Sequence, residues 1–141
     1  MKRLFAATVS IALVASAAQA MGDAQLFGPG VWVSQNNTVL TISSLVPATG
    51  QLSGTLVTQT SKPTCTANGI PQPIAGWYNA ANHLLTFSVN WDEKGCNAVV
   101  SWSGHFDPET GVIALNWTRV SGLNGTTTDI GTGEFRPQSP P

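Results

Sequence analysis

Charge is scarce in this chain. Six Lys+Arg and seven Asp+Glu are only 9% of 141 residues and leave a formal net charge of -1. That balance offers no basic stripe for nucleic acid and no polybasic patch for an anionic membrane. Beyond the first twenty residues no apolar run reaches the about 20 residues of a membrane-spanning helix. A 3.6-residue apolar period is also missing, which disfavours a helix bundle. What the chain does have is fourteen Gly, nine Pro and five Trp within a 42% hydrophobic composition. Such a composition suits one turn-rich β domain and is too apolar for disorder.

Residues 1–20 read as a secretory signal peptide. Met1-Lys2-Arg3 is a basic start, residues 4–15 form an apolar run too short to span a bilayer, and Ala18-Gln19-Ala20 is a small-x-small cleavage site. An uncleaved anchor is the alternative, but the sequence after Ala20 turns polar. The expected product is secreted or periplasmic, with no membrane attachment after cleavage. It carries four basic side chains against seven acidic ones. Residues 21–136 are expected to form the domain, and residues 137–141 a flexible Pro-rich tail.

Export changes the meaning of Cys65 and Cys96, because an even cysteine count in an oxidising compartment points to a bridge. Closing a loop of roughly 30 residues would contribute about 3.6 kcal/mol in the chain-entropy account. Two buried free thiols are the competing reading. A metal site is a poorer one, since neither cysteine lies in a CxxC or near a histidine at ligand spacing.

The chain after residue 20 is written in short alternating segments. In residues 83–91, Leu85, Phe87, Val89 and Trp91 share one face and Thr86, Ser88 and Asn90 the other. Residues 97–107 and 112–120 repeat the pattern with Ala98, Val100, Trp102 and Phe106, then Ile113, Leu115 and Trp117. Similar segments at 30–34, 39–43, 52–60, 74–79 and 130–136 bring the expected strands to eight. Gly-, Asn-, Asp- and Pro-rich turns separate them, leaving no crossover long enough for a helix. A sandwich and a barrel both accommodate eight such strands. The regular hairpin spacing favours an eight-stranded antiparallel up-and-down β-barrel.

Such a barrel is just wide enough for packed side chains or one small ligand. In a meander, strands 1, 3, 5 and 7 finish at one end. That end collects Ser34, Thr58, Trp91 and, opening strand 2, Thr38, all on the inward parity of their strands. Both cysteines fall in loops at the same mouth. Inward hydroxyls need partners, so the sequence sketches an aromatic cup with a few polar groups. Against this stands the reading that inward Trp residues fill a core and inward hydroxyls bond strand backbone or a buried water.

The string Gly30-Val31-Trp32-Val33-Ser34-Gln35-Asn36-Asn37-Thr38, followed by Leu52-Ser53-Gly54-Thr55, Phe87-Ser88-Val89-Asn90-Trp91, Ser101-Trp102-Ser103-Gly104 and Asn116-Trp117, resembles the avidin and streptavidin family in order and spacing. The cysteine pair resembles that of its disulfide-bearing, dimeric (rhizavidin-like) branch. The resemblance implies an extracellular, noncovalent binder of biotin, held as ligand and not as cofactor, and a homodimer. It makes Trp91, Trp102 and Trp117 the apolar walls around the ligand rings. Thr38 and Ser34 would donate to the ureido oxygen, and Thr58 would accept from a ureido N–H.

Four positions depart from the family pattern. Leu56 stands in place of a Tyr donor, and Gly133 in place of an Asp or Asn acceptor unless Glu134 or Asp129 substitutes for it. Ala98 and Val100 replace a Ser and a Thr that touch the ligand's carboxylate and sulfur. Each hydrogen bond lost in a desolvated pocket costs roughly 1–3 kcal/mol, so the expected binding is weaker than that of the family's best members. A cup retuned to a more apolar ligand, or a barrel acting through its outer surface, is the alternative. Lys62 could meet a carboxylate at the rim.

Catalysis finds little support. His83 and His105 are read as outward surface histidines, and Asp92-Glu93 and Asp107/Glu109 fall in turns without a recognisable catalytic spacing. Trp77, on the parity opposite Ile74, Gly76 and Tyr78, is expected to face out and to mark a subunit interface.

Overall fold

The computed structural model describes residues 26–58, 68–92, 97–122 and 126–138. The proposed signal peptide, Lys62, Cys65, Cys96 and the last three residues of the tail lie outside this set.

Period-two alternation shapes every wall of the molecule. β4 (Gln72–Asn79) buries Gln72, Ile74, Gly76 and Tyr78 and exposes Pro73, Ala75, Trp77 and Asn79. The same rule organises β1 (Gly30–Ser34), β2 (Val39–Leu45), β3 (Gln51–Val57), β5 (Leu84–Trp91), β6 (Ala98–Phe106) and β7 (Ile113–Ser121), while β8 (Thr127–Pro137) opens with four exposed residues. Each strand pairs antiparallel with its neighbour in sequence, and β1 pairs with β8 to close the barrel. The core is the lumen itself: Leu40, Ile42, Leu52, Phe87, Ile113 and Phe135 are almost wholly removed from solvent. Each such side chain stabilises the fold by roughly 1.5–3 kcal/mol. Trp77 faces out and is 59% exposed, as its parity required.

Closure rests on the pairs Trp32 with Pro137, Val33 with Arg136 and Ser34 with Phe135. The last strand therefore ends one residue later than the expected 136, because Pro137 belongs to β8. Pro137 fits because successive N–H groups of a strand point to opposite neighbours. Gln138 N–H donates to the Val31 carbonyl at 2.9 Å, so the missing donor of Pro137 faces the β7 side, where pairing has already stopped at Ile113 with Phe135.

One end of the barrel is sealed from below. Phe27, ahead of β1, packs against Tyr78 at 4.3 Å, Phe106 at 5.3 Å and Trp32 at 5.7 Å between ring centroids. Trp32 Nε1 donates to the Gly111 carbonyl in the β6–β7 turn at 3.1 Å. Trp32 thus belongs to the floor, and the opposite end remains the mouth.

Candidate functional site

A cavity of about 550 Å³ opens at the mouth, within the range of small-ligand sites. Ser34, Thr38, Thr58, Trp91, Trp102 and Trp117 all line it. Parity explains the convergence, since each is on the inward set of its strand or one residue beyond its end.

The turn between β1 and β2 fixes the first polar group. Asn37 takes a left-handed φ of 57°, which an Asn tolerates, and its N–H donates to the Ser34 carbonyl at 3.0 Å. Ser34 Oγ accepts from the N–H groups of Thr38 and Asn36 at 3.1 and 3.3 Å. Two incoming bonds polarise this hydroxyl, so its own proton is the better donor. Thr38 and Thr58, 8% and 9% exposed, carry two further hydroxyls into the lumen.

The indoles form the opposite wall. Trp102 stacks on Phe87 at 5.9 Å, meets Phe135 edge-on at 5.7 Å and stands 6.2 Å from Trp117, its cross-strand partner. Its Nε1 is buried without a hydrogen-bond partner, leaving a donor whose satisfaction is worth roughly 1–3 kcal/mol. Two glycines of β8 make room for these rings. A Cβ on Gly131 would lie 2.3 Å from Cζ2 of Trp117, and one on Gly133 would lie 2.9 Å from Cζ3 of Trp102.

The Gly133 contact bears on the missing acceptor, because the space beside Gly133 holds the Trp102 ring. Neither proposed substitute is free. Glu134 accepts from Arg136 Nη2, and Asp129 is ion-paired to Arg119. Leu56, Val100 and Gly133 line the cavity, and Ala98 is buried beside Trp91.

Two features were not foreseen in the sequence. Arg119 lines the cavity. The inward set of β7 continues from Trp117 to residue 119, but a cation there breaks the apolar pattern and masks the continuation. Gln72 is inward, 4% exposed, and its Nε2 has no partner. Its place before the alternating run 74–79 gave no signal.

Two of the titratable groups considered for catalysis, Asp107 and His83, have structural tasks. Asp107 Oδ2 accepts from Thr110 Oγ1 at 2.7 Å and Oδ1 from the Glu109 N–H at 2.9 Å. These bonds hold its carboxyl below the ordinary carboxylate value, that from the Thr110 hydroxyl most of all. His105 is exposed on the outward parity of β6, as expected, and also borders the cavity. His83 departs from expectation: it precedes β5 with a left-handed φ of 59°, is half-buried, and its Nδ1 bonds the Tyr78 hydroxyl at 2.8 Å. Burial raises the pKa of that phenol above its usual value. Among the described residues no three His, Cys, Asp or Glu side chains gather as a metal site.

Comparison with known proteins gives consistent results. Hoefavidin of Hoeflea phototrophica is 26% identical over 150 residues, covering 95% of this chain and 90% of that protein. Shwanavidin in its apo form superposes with a TM-score of 0.68 at 27% identity, over 82% of this chain and 99% of its own. A single-residue variant of shwanavidin, solved with biotin, gives the same score and identity over 81% and 98%. The rhizavidin–biotin complex, at 22% identity, shares the fold with a TM-score of 0.69 over 82% and 95%. Residues 23–135 match the avidin family. With that match running from just ahead of the Phe27 plug to Phe135 in the strand that closes the barrel, the chain belongs to the avidin family.

Proposed function

We propose that the barrel binds biotin noncovalently in the mouth cavity, more weakly than the family's best members. As a member of the avidin family the chain is a binding protein and not an enzyme. The observation that carries the reading is the meeting of three hydroxyl residues, Ser34, Thr38 and Thr58, with the three indoles of Trp91, Trp102 and Trp117 around one cavity. Such a site suits a flat, polar ureido head and an apolar ring. The biotin complex of the shwanavidin variant supports the same ligand.

Weaker affinity follows from Leu56, Gly133, Ala98 and Val100, which carry no side-chain donor or acceptor. Three or four absent bonds at roughly 1–3 kcal/mol each amount to several orders of magnitude in Kd. The same apolar substitutions favour the second reading, a cup retuned to a less polar ligand. The proposal includes export after cleavage at Ala20, a Cys65–Cys96 bridge and a homodimer. For the dimer, the support is exposed apolar surface at Trp77 and across Val99, Val120 and Ile130. Light scattering behind a sizing column should give twice the chain mass.

Isothermal titration of biotin into residues 21–141, with tryptophan emission followed in parallel, tests the reading. Saturable binding with an indole response is expected. Silence up to about millimolar biotin, equivalent to about −4 kcal/mol, from a folded β protein would overturn it and leave the apolar ligand.

A further inference from the structure

Arg119 has no place in the reading above, yet it is the cationic side chain that lines the cavity among the described residues. The other described arginine, Arg136, is exposed and ion-paired with Glu134. Arg119 sits on the inward parity of β7, one inward position nearer the rim than Trp117. Across the sheet it lies opposite Val100 on β6 and Asp129 on β8. Its side chain is 24% exposed, so it is partly withdrawn from solvent at the entrance.

Its orientation is fixed. Nε and Nη2 both donate to Asp129 Oδ2, at 3.2 and 2.6 Å. A guanidinium has five N–H donors in one plane. Two are spent on a single carboxylate oxygen, which leaves three unspent on that pair. An exposed ion pair of this kind contributes little to stability. Its position on the cavity wall gives it another use.

We propose that Arg119 recognises a free carboxylate on the ligand, with Asp129 as the positioning residue that holds the guanidinium at the rim. The cavity then selects a molecule with a polar, acceptor-bearing head, an apolar body and an anionic arm that ends at the mouth. This rests on the biotin reading and deepens it. Ala98 and Val100 offer no hydroxyl to a carboxylate, and Arg119, directly opposite Val100, supplies a charge where the wall lacks one. A planar fork matches a carboxylate better than a point charge does.

The test compares biotin with its neutral primary amide by titration calorimetry on the purified protein and on R119Q, R119K and D129N, with circular dichroism as a check on folding. The native protein should prefer the acid by about tenfold, one charge-assisted bond at a part-exposed site. Raising salt from about 50 to about 500 mM should shrink that preference, because the pair is not fully buried. R119Q should bring the acid-to-amide ratio to about one, R119K should retain part of it, and D129N, whose amide oxygen still accepts from the guanidinium and holds it while the competing charge is gone, should increase it. Equal binding of acid and amide by the native protein, or a preference that survives R119Q, overturns the role of Arg119 and leaves the biotin reading standing. Should R119Q fail to fold, the native ratio, its salt dependence and D129N decide the question. Binding of neither compound by the folded native protein overturns the biotin reading and this inference with it.

Discussion

Thr38 carries one of few hydroxyls into a lumen otherwise walled by rings and aliphatic chains, so its removal isolates one polar contact. T38V keeps the shape of the side chain and deletes the donor. Biotin affinity should fall by about 10- to 100-fold, the worth of one buried hydrogen bond, with the thermal midpoint nearly unmoved. Equal Kd values for T38V and the native protein in a titration would remove Thr38 from the site. Gly131 tests the opposite wall. An added Cβ would overlap the Trp117 indole, a rigid ring that must tilt or leave, so G131A should weaken binding and alter the tryptophan emission of the free protein. Parity put Ser34, Thr38, Thr58, Trp91, Trp102 and Trp117 on the inward set, because a period of two assigns a face to every position. It could not reveal that the Trp102 ring lies against Gly133, or that Arg119, inward by the same parity, is held by Asp129 at the cavity wall. A ring's direction and a charge's partner depend on strands distant in sequence.

Turns and strand ends carry the next set of consequences. The β6–β7 turn is held by Asp107, whose carboxylate accepts from Thr110 and Glu109, while the Gly111 carbonyl in the same turn accepts from Trp32 of the floor. The folded-state pKa of Asp107 is lowered by these bonds. Its contribution to stability is therefore present above the ordinary carboxylate range, near pH 4, and is lost as pH falls through the lowered value. Thermal unfolding followed by circular dichroism should show a midpoint that drops on the acid side, and D107A should flatten that limb. An unchanged acid limb in D107A would deny the turn this role. All eight strands could be read from alternation and turn residues. β8 was read least well: its first residues, Thr127 to Asp129, are polar and exposed, and its last, Pro137, resembles a breaker. Both belong to the sheet because partner strands supply the pairing that their own sequence does not advertise.

The molecule as a whole is a cup with a separate floor. Phe27 belongs to no strand, yet three aromatic side chains meet it. F27A should cost about 3 kcal/mol, the low end for emptying an aromatic site, and lower the thermal midpoint by roughly 10 °C for a domain of this size. Biotin affinity should change far less, since the plug lies at the end away from the mouth. A loss of affinity as large as the loss of stability would mean that floor and mouth are coupled through the core. The barrel's seam adds one more consequence. Gly30 at the start of β1 and Pro137 at the end of β8 lie at the floor, so the first and last strands open and close the barrel on the side opposite the mouth. A surface, bead or fused domain joined directly at Gly30 or Pro137 would hold the cup upright with its entrance turned to solution.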